Sequence, residues 1–86
     1  MKPIPPTILK RMLEMCDYKL IQSDDITWLM ESNGHIVPIP QTMKLVPIDV
    51  LEGLLGPTGI DEDTFKALLA TIEGQSPAQS ASASPN

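Results

Sequence analysis

The sequence is short of several residue types, and each shortage excludes a class of protein. Its 86 residues include one cysteine, Cys16, and one each of tryptophan, tyrosine and phenylalanine. A single cysteine excludes an intramolecular disulfide and a cysteine zinc cluster, and a lone thiol suits a reducing compartment, so we expect a cytoplasmic protein. No apolar run approaches the roughly eighteen residues of a membrane span, and no signal peptide is predicted.

Basic residues are also scarce. Six Lys and Arg stand against eleven Asp and Glu, which gives a formal net charge of −5. Nucleic-acid binding draws much of its affinity from basic side chains that displace counterions from phosphates, so this balance disfavours an RNA partner. The same negative sign disfavours an anionic membrane surface. We therefore expect the binding partner to be a protein. The sequence does not indicate an oligomeric state.

The length allows one small domain with a tail. Residues 74–86 consist of Gly, Gln, Ser, Pro, Ala and Asn and carry no charge. Such a segment buries too little apolar surface to offset its ordering entropy, so we predict that it is disordered. The folded domain is then residues 1–73.

Helical patterns lie at both ends of this domain. Apolar residues at helical spacing predict a first helix over 8–16, with Thr7 as its cap. Pro47 suits the first position of a second helix, which Gly56-Pro57 would end. Asp61 can cap a third helix, and the acidic residues that follow it favour the positive end of the helix dipole.

Strand patterns fill the middle of the domain. Residues 18–22 and 26–31 are rich in β-branched or aromatic side chains, and Asn33-Gly34 is a strong hairpin signal that leads into residues 35–40. Pro38 and Pro40 cannot donate to a ladder, so on the side where they point the third strand is an edge or leaves the sheet. The sequence therefore predicts an α+β domain in the order α-β-β-β-α-α, with helices on one face of a three-stranded antiparallel sheet.

Residue types that could carry chemistry each have a simpler structural explanation. Asp24-Asp25 fits a hairpin turn better than a cation site, which needs several converging oxygens. Cys16 lies on the apolar face of the first helix and is expected to fill the core. His35 follows a turn and is a weak candidate for a general base. We predict no catalytic residue, no metal and no cofactor, with His35 as the catalytic alternative.

Large apolar residues on the strands are the candidates for partner binding. Trp28 and Met30 point to the same face of a strand because strand side chains alternate. We name Trp28, Met30, Val37 and Ile39 as candidate partner-binding residues, with an aromatic anchor at their centre. Packing in the core is the competing interpretation of Trp28 and Met30.

Several strings occur in an order that resembles the HicA family of bacterial toxin-antitoxin modules. The proline-containing start at residues 2–5 precedes a helix, which ends at an Asp17-Tyr18 corner where the family has Gly-Phe. Val37-Pro38-Ile39-Pro40 resembles the family's Val-Pro-x-Pro string in the third strand. Residues 50–55 and 58–69 resemble its leucine-rich helix and its acidic-Phe-x-x-Leu-Leu helix.

The resemblance implies a fold like that of double-stranded-RNA-binding domains, but it does not carry over the family's ribonuclease activity. Family toxins use a histidine in a Gly-Ser-His string at the turn into the second strand. Asp24, Asp25 and Ile26 occupy these positions here, and isoleucine can neither donate nor accept a proton. The two carboxylates would also repel a phosphate.

Three hypotheses follow from the sequence. The first is a non-catalytic HicA-like domain that binds an antitoxin-like or other small protein. The second is a divergent RNA-binding protein or ribonuclease in which His35 replaces the missing histidine. The third is a structural module that forms oligomers.

Overall fold

The computed structural model describes residues 1–74 and has the predicted α-β-β-β-α-α order. Gly74 ends the last helix, and the rest of the predicted disordered tail lies outside the described residues. The elements are α1 (Pro6–Met15), β1 (Lys19–Ser23), β2 (Thr27–Ser32), β3 (His35–Pro40), α2 (Ile48–Leu55), a single 3₁₀ turn (Gly56–Thr58) and α3 (Glu62–Gly74).

Helix α1 begins two residues earlier than the sequence pattern predicted, and the expected cap at Thr7 is wrong. Pro5 is the N-cap, and its carbonyl accepts the N–H groups of Ile8 and Leu9 at 3.0 and 3.2 Å. Pro6 occupies the first helical position, where its fixed φ suits the helix and its missing N–H would have had no helical partner. Thr7 is therefore a residue of the first turn, and no side chain caps the helix.

The end of α1 turns the chain sharply into the sheet. The N–H of Tyr18 donates to the Leu13 carbonyl at 2.9 Å, and the N–H of Asp17 donates to the Glu14 carbonyl at 3.2 Å. This pair of bonds is a Schellman motif, which requires a left-handed residue at the position of Asp17. Asp17 has φ 67°, although glycine is the usual residue there. The buried ring of Tyr18 then packs into the core.

The three strands form an antiparallel sheet in the order β1-β2-β3. The Asn33-Gly34 turn joins β2 to β3, and its two residues have φ of 52° and 83°, as the predicted type of hairpin turn requires. Met30 lies opposite Val37, and Trp28 lies opposite Ile39. Strand β2 is thus the centre of the sheet, and β1 and β3 are its two edges.

The two edges of the sheet differ in their backbone groups. Gln41 donates its N–H to the Ile26 carbonyl at 3.1 Å, so backbone alternation directs the nitrogens of Pro40 and Pro38 away from β2. The free edge of β3 therefore lacks two donors. Strand β1 contains no proline, but its register shifts at Ile21 between Leu20 and Gln22. That irregularity is a β-bulge, which bends the strand.

One hydrophobic core lies between the sheet and the helices. Helices α1 and α2 both contact β3, and α1 also packs against α3. Residues from every helix, from β2 and β3, and from the connecting segments contribute to this core. Its fully buried side chains are Ile4, Leu9, Met12, Leu13, Met30, Val37, Ile39, Val46, Leu51, Leu55 and Phe65.

The turn between α2 and α3 confirms both predicted helix boundaries. Helix α2 ends where Gly56-Pro57 begins the 3₁₀ turn, and Gly59 follows with φ 81°. Asp61 caps α3, since its Oδ1 accepts the N–H of Thr64 at 2.9 Å. This hydrogen bond favours the charged carboxylate and holds the pKa of Asp61 below its ordinary value.

We expect opposite effects from substitutions at the two left-handed positions, Asp17 and Gly59. Asp17→Gly should raise the free energy of unfolding by about 1 kcal/mol, because it removes the steric cost of a Cβ at positive φ. Gly59→Ala should lower the free energy of unfolding by about 1 kcal/mol, because it adds a Cβ at positive φ. No heavy atom lies within 4 Å of the added Cβ, so the backbone conformation alone causes this loss. Urea unfolding followed by circular dichroism measures both changes. Equal signs at the two positions would contradict this account.

Candidate protein-binding surface

The structure places three of the four predicted partner-binding residues inside the core. Met30, Val37 and Ile39 are at most 1% exposed, because the helices cover the face of the sheet on which they lie. Trp28 lies on the same face, is half-buried and packs against the core. The three buried side chains cannot contact a partner in this conformation. Their role is core packing, which was the competing interpretation for Met30.

The opposite face of the sheet also carries apolar side chains, and the helices do not cover them. Since strand residues alternate, Leu29 of β2 and Ile36 and Pro38 of β3 lie on the face away from the helices. Leu29 is paired with Pro38, and Ile36 is 47% exposed. We call this surface the outer face, and its residues are Lys19, Gln22, Thr27, Leu29, Glu31, Ile36, Pro38 and Pro40.

Two more isoleucines near the edge of the sheet are exposed. Ile21 occupies the bulge of β1 and is 49% exposed, and Ile26 lies in the β1–β2 turn and is 63% exposed. Burying such side chains against a partner contributes roughly 25 cal/mol for each Å² of apolar surface removed from water. Contiguous exposed apolar residues with polar neighbours mark interaction sites. The sequence analysis did not select Leu29, Ile21 or Ile26 as partner-binding residues. Strand alternation around Met30 would have placed Leu29 on the opposite face.

Acidic side chains border the outer face at both of its ends. At the β1–β2 turn, Oδ1 of Asp24 accepts the N–H groups of Ile26 and Thr27 at 2.9 and 2.8 Å. The side-chain amide of Gln41 also donates to the Asp24 carbonyl. These bonds confirm the turn predicted at Asp24-Asp25. Towards the other end of β2, Glu31 lies opposite Lys19 on one side and Ile36 on the other.

His35 is half-buried at the start of β3. Its ring lies edge-on to the ring of Tyr18, with centroids 6.2 Å apart and planes at 79°. Its Nε2 atom is buried and has no hydrogen-bond partner among residues 1–74. A general base must reach the proton that it removes, and this nitrogen does not face solvent. The geometry therefore offers no support for a catalytic His35.

Cys16 has the environment of a packing residue. It is half-buried and packs against the core at the end of α1. Burial raises the pKa of its thiol, and the nearby Asp17 carboxylate raises it further. A reactive cysteine needs the opposite environment, since the thiolate is the nucleophile.

His35 lines neither of two surface cavities formed by residues 1–74. One, of about 500 Å³, lies beside α3 above Phe65 and Leu69 and is lined by the paired residues Lys2 and Glu73. The other, of about 380 Å³, lies beside the β2–β3 turn, between Lys19 of β1 and Glu31 of β2. Residues 1–74 contain no group of three or more side chains that could hold a metal ion. No helix within the same range could cross a membrane.

Three lysines form ion pairs with acidic side chains. Lys10 contacts Glu14 at 2.8 Å, and Lys66 lies 4.0 Å from Glu62. Lys2 lies 3.5 Å from Glu73. Each of these lysines would have to exchange a carboxylate partner for a phosphate in order to bind RNA.

Comparison of the chain with protein-family models, with curated proteins and with solved structures finds no match. The function is therefore argued from the geometry of the chain itself.

Two neighbouring substitutions test the assignment of the inner and outer faces. Val37→Thr should lower the free energy of unfolding by about 1–3 kcal/mol, because it buries a hydroxyl group without a partner at constant volume. Ile36→Thr should change it by at most about 0.5 kcal/mol, because this side chain is exposed. Denaturant titration of both variants measures the difference. A larger loss at position 36 than at position 37 would reverse the assignment.

Proposed function

We propose that the chain is a non-catalytic, HicA-like domain that binds another protein through the outer face of its sheet. One observation carries this proposal: the helices cover only one face of the sheet, and Leu29, Ile36 and Pro38 lie on the open one. Removing apolar side chains from water against a partner is favourable in free energy. The polar residues at the margin of this surface resemble the rim of a protein interface.

The arrangement of titratable groups favours binding over catalysis. Ile26 stands where the family resemblance expects the catalytic histidine, and it is exposed in a turn with two aspartates before it. The single histidine, His35, keeps Nε2 buried beside Tyr18. A ribonuclease of this kind would lack an imidazole at the position of Ile26.

Local structure supports the HicA-like part of the proposal. The Asp17-Tyr18 corner adopts the left-handed conformation for which the family's glycine is suited. The Val37-Pro38-Ile39-Pro40 string lies in the third strand, as in the family pattern. A fold like that of double-stranded-RNA-binding domains, and an origin in a toxin-antitoxin system, belong to this proposal.

An RNA titration tests the loss of nuclease function. The purified full chain should bind structured and single-stranded RNA weakly even at low salt, and should cleave neither, because its net charge is negative and Ile26 replaces the histidine. Gel shift and denaturing electrophoresis measure binding and cleavage. Cleavage that disappears in the His35→Ala variant would establish the ribonuclease alternative instead.

Site-specific photocrosslinking tests the protein-binding function. A photoreactive phenylalanine analogue at position 36, introduced into the full chain in cells that naturally produce it, should yield a discrete crosslinked protein. The same analogue at position 45 serves as the matched control, because Leu45 is similarly exposed at 53% but lies outside the sheet. Crosslinks from position 45 alone, or none from position 36, would contradict the proposal.

A further inference from the structure

The outer face has the shape and charge to receive one particular kind of partner. Resting on the proposed protein-binding function, we infer that its occupant is an amphipathic helix with basic side chains, supplied by another protein. The dimensions of the sheet, the positions of its acidic residues and the state of its edges each support this occupant.

The dimensions of the outer face fit a single helix. Three strands about 4.8 Å apart span about 10 Å between the axes of β1 and β3, which matches the diameter of an α-helix. Strands β2 and β3 have six residues each and so are about 20 Å long, which corresponds to about 14 helical residues. The sheet already packs against a helix on its other face, where α1 has ten residues.

The apolar side chains are placed to meet a helical stripe. Leu29 and Pro38 are directly paired at the middle of the face, and Ile36 lies next to this pair along β3. A helix presents apolar residues at i, i+3, i+4 and i+7 as one stripe along its length. Such a stripe would cover this cluster and leave the polar side of the helix over the margins of the sheet.

The charges at the margins call for basic residues on the helix. Asp24 and Asp25 lie at one end and Glu31 lies towards the other, so the margins carry three acidic side chains and one basic side chain, Lys19, which lies opposite Glu31. None of these three carboxylates belongs to an ion pair found within residues 1–74. A second copy of the chain would bring the same acidic margins and a net charge of −5, so repulsion disfavours it.

The edges of the sheet make an extended segment the poorer occupant. Adding a strand requires a row of free backbone donors and acceptors. Pro38 and Pro40 remove donors from the edge of β3, and the bulge at Ile21 interrupts the edge of β1. A helix needs none of these backbone groups, because its own are already paired.

Binding of designed peptides to the full chain tests this inference. The probe is a peptide of about 14 residues, long enough to cross the sheet, with leucines at helical spacing and lysines elsewhere. Two matched peptides serve as controls: one has glutamate in place of lysine, and the other has the same composition in strict alternation, which favours a strand. Titration calorimetry measures affinity, and amide shifts in heteronuclear NMR spectra locate the site.

We expect the helical lysine peptide to bind most tightly and to shift the amides of β2 and β3. Its affinity should fall about tenfold in the Ile36→Gln variant, which removes the apolar side chain without adding charge, and stay unchanged in the Leu45→Gln control. Asp25→Lys, which changes charge at an exposed turn, should weaken binding and reduce its dependence on salt. Circular dichroism shows whether each variant remains folded.

Several results would overturn the inference. These are equal or tighter binding of the glutamate peptide, tighter binding of the alternating peptide, and equal effects of the variants at positions 36 and 45. Sedimentation that reveals a dimer dissociated by Ile36→Gln would assign the face to a second copy. If position 36 crosslinks a protein in cells while the helical lysine peptide does not bind, the inference fails and the proposed function stands.

Discussion

The packing of Met30 against Val37 beneath the helices determines the rest of this structure. These residues are opposite one another on neighbouring strands, and both are fully buried. Because strand side chains alternate, burying them fixes Leu29, Ile36 and Pro38 on the other face of the sheet. A domain of this length forms a single core, so its helices cover only one face. The exposed apolar surface is thus a direct consequence of how the core is built.

The sequence predicted the local elements well wherever one residue type has one strong preference. Asn33-Gly34 identified the hairpin, and Asp61 identified the start of α3. Thr7 was misassigned because a hydroxyl side chain is a common cap, whereas Pro5 and Pro6 start the helix through backbone geometry alone. The bulge at Ile21 has no comparable signature, so nothing in the sequence indicated it.

The candidate surface was harder to predict than the fold. Alternation correctly grouped Trp28 with Met30, but it does not state which side of a sheet the helices cover. Large apolar side chains such as Met30 and Ile39 are typical of binding surfaces, but they are also typical of cores, and both of these are fully buried. Leu29 and Ile36 look equally apolar, and only the three-dimensional position of the helices separates the two groups. The position of His35 Nε2, which is buried on a ring that lies edge-on to Tyr18, likewise depends on the fold and not on the local sequence.

The prolines of β3 limit how far this protein can aggregate through its strand edges at high concentration. Proteins with two open strand edges can add molecules at both, and repeated addition produces fibrils. Pro38 and Pro40 stop addition at one edge, so only β1 could pair with another molecule. Pairing through two β1 edges would therefore end at two copies. The edges that remain exposed in such a pair are the two β3 strands, and their prolines lack the donors that a further strand would need. The chain can carry an exposed apolar sheet at high concentration without edge pairing growing into a filament.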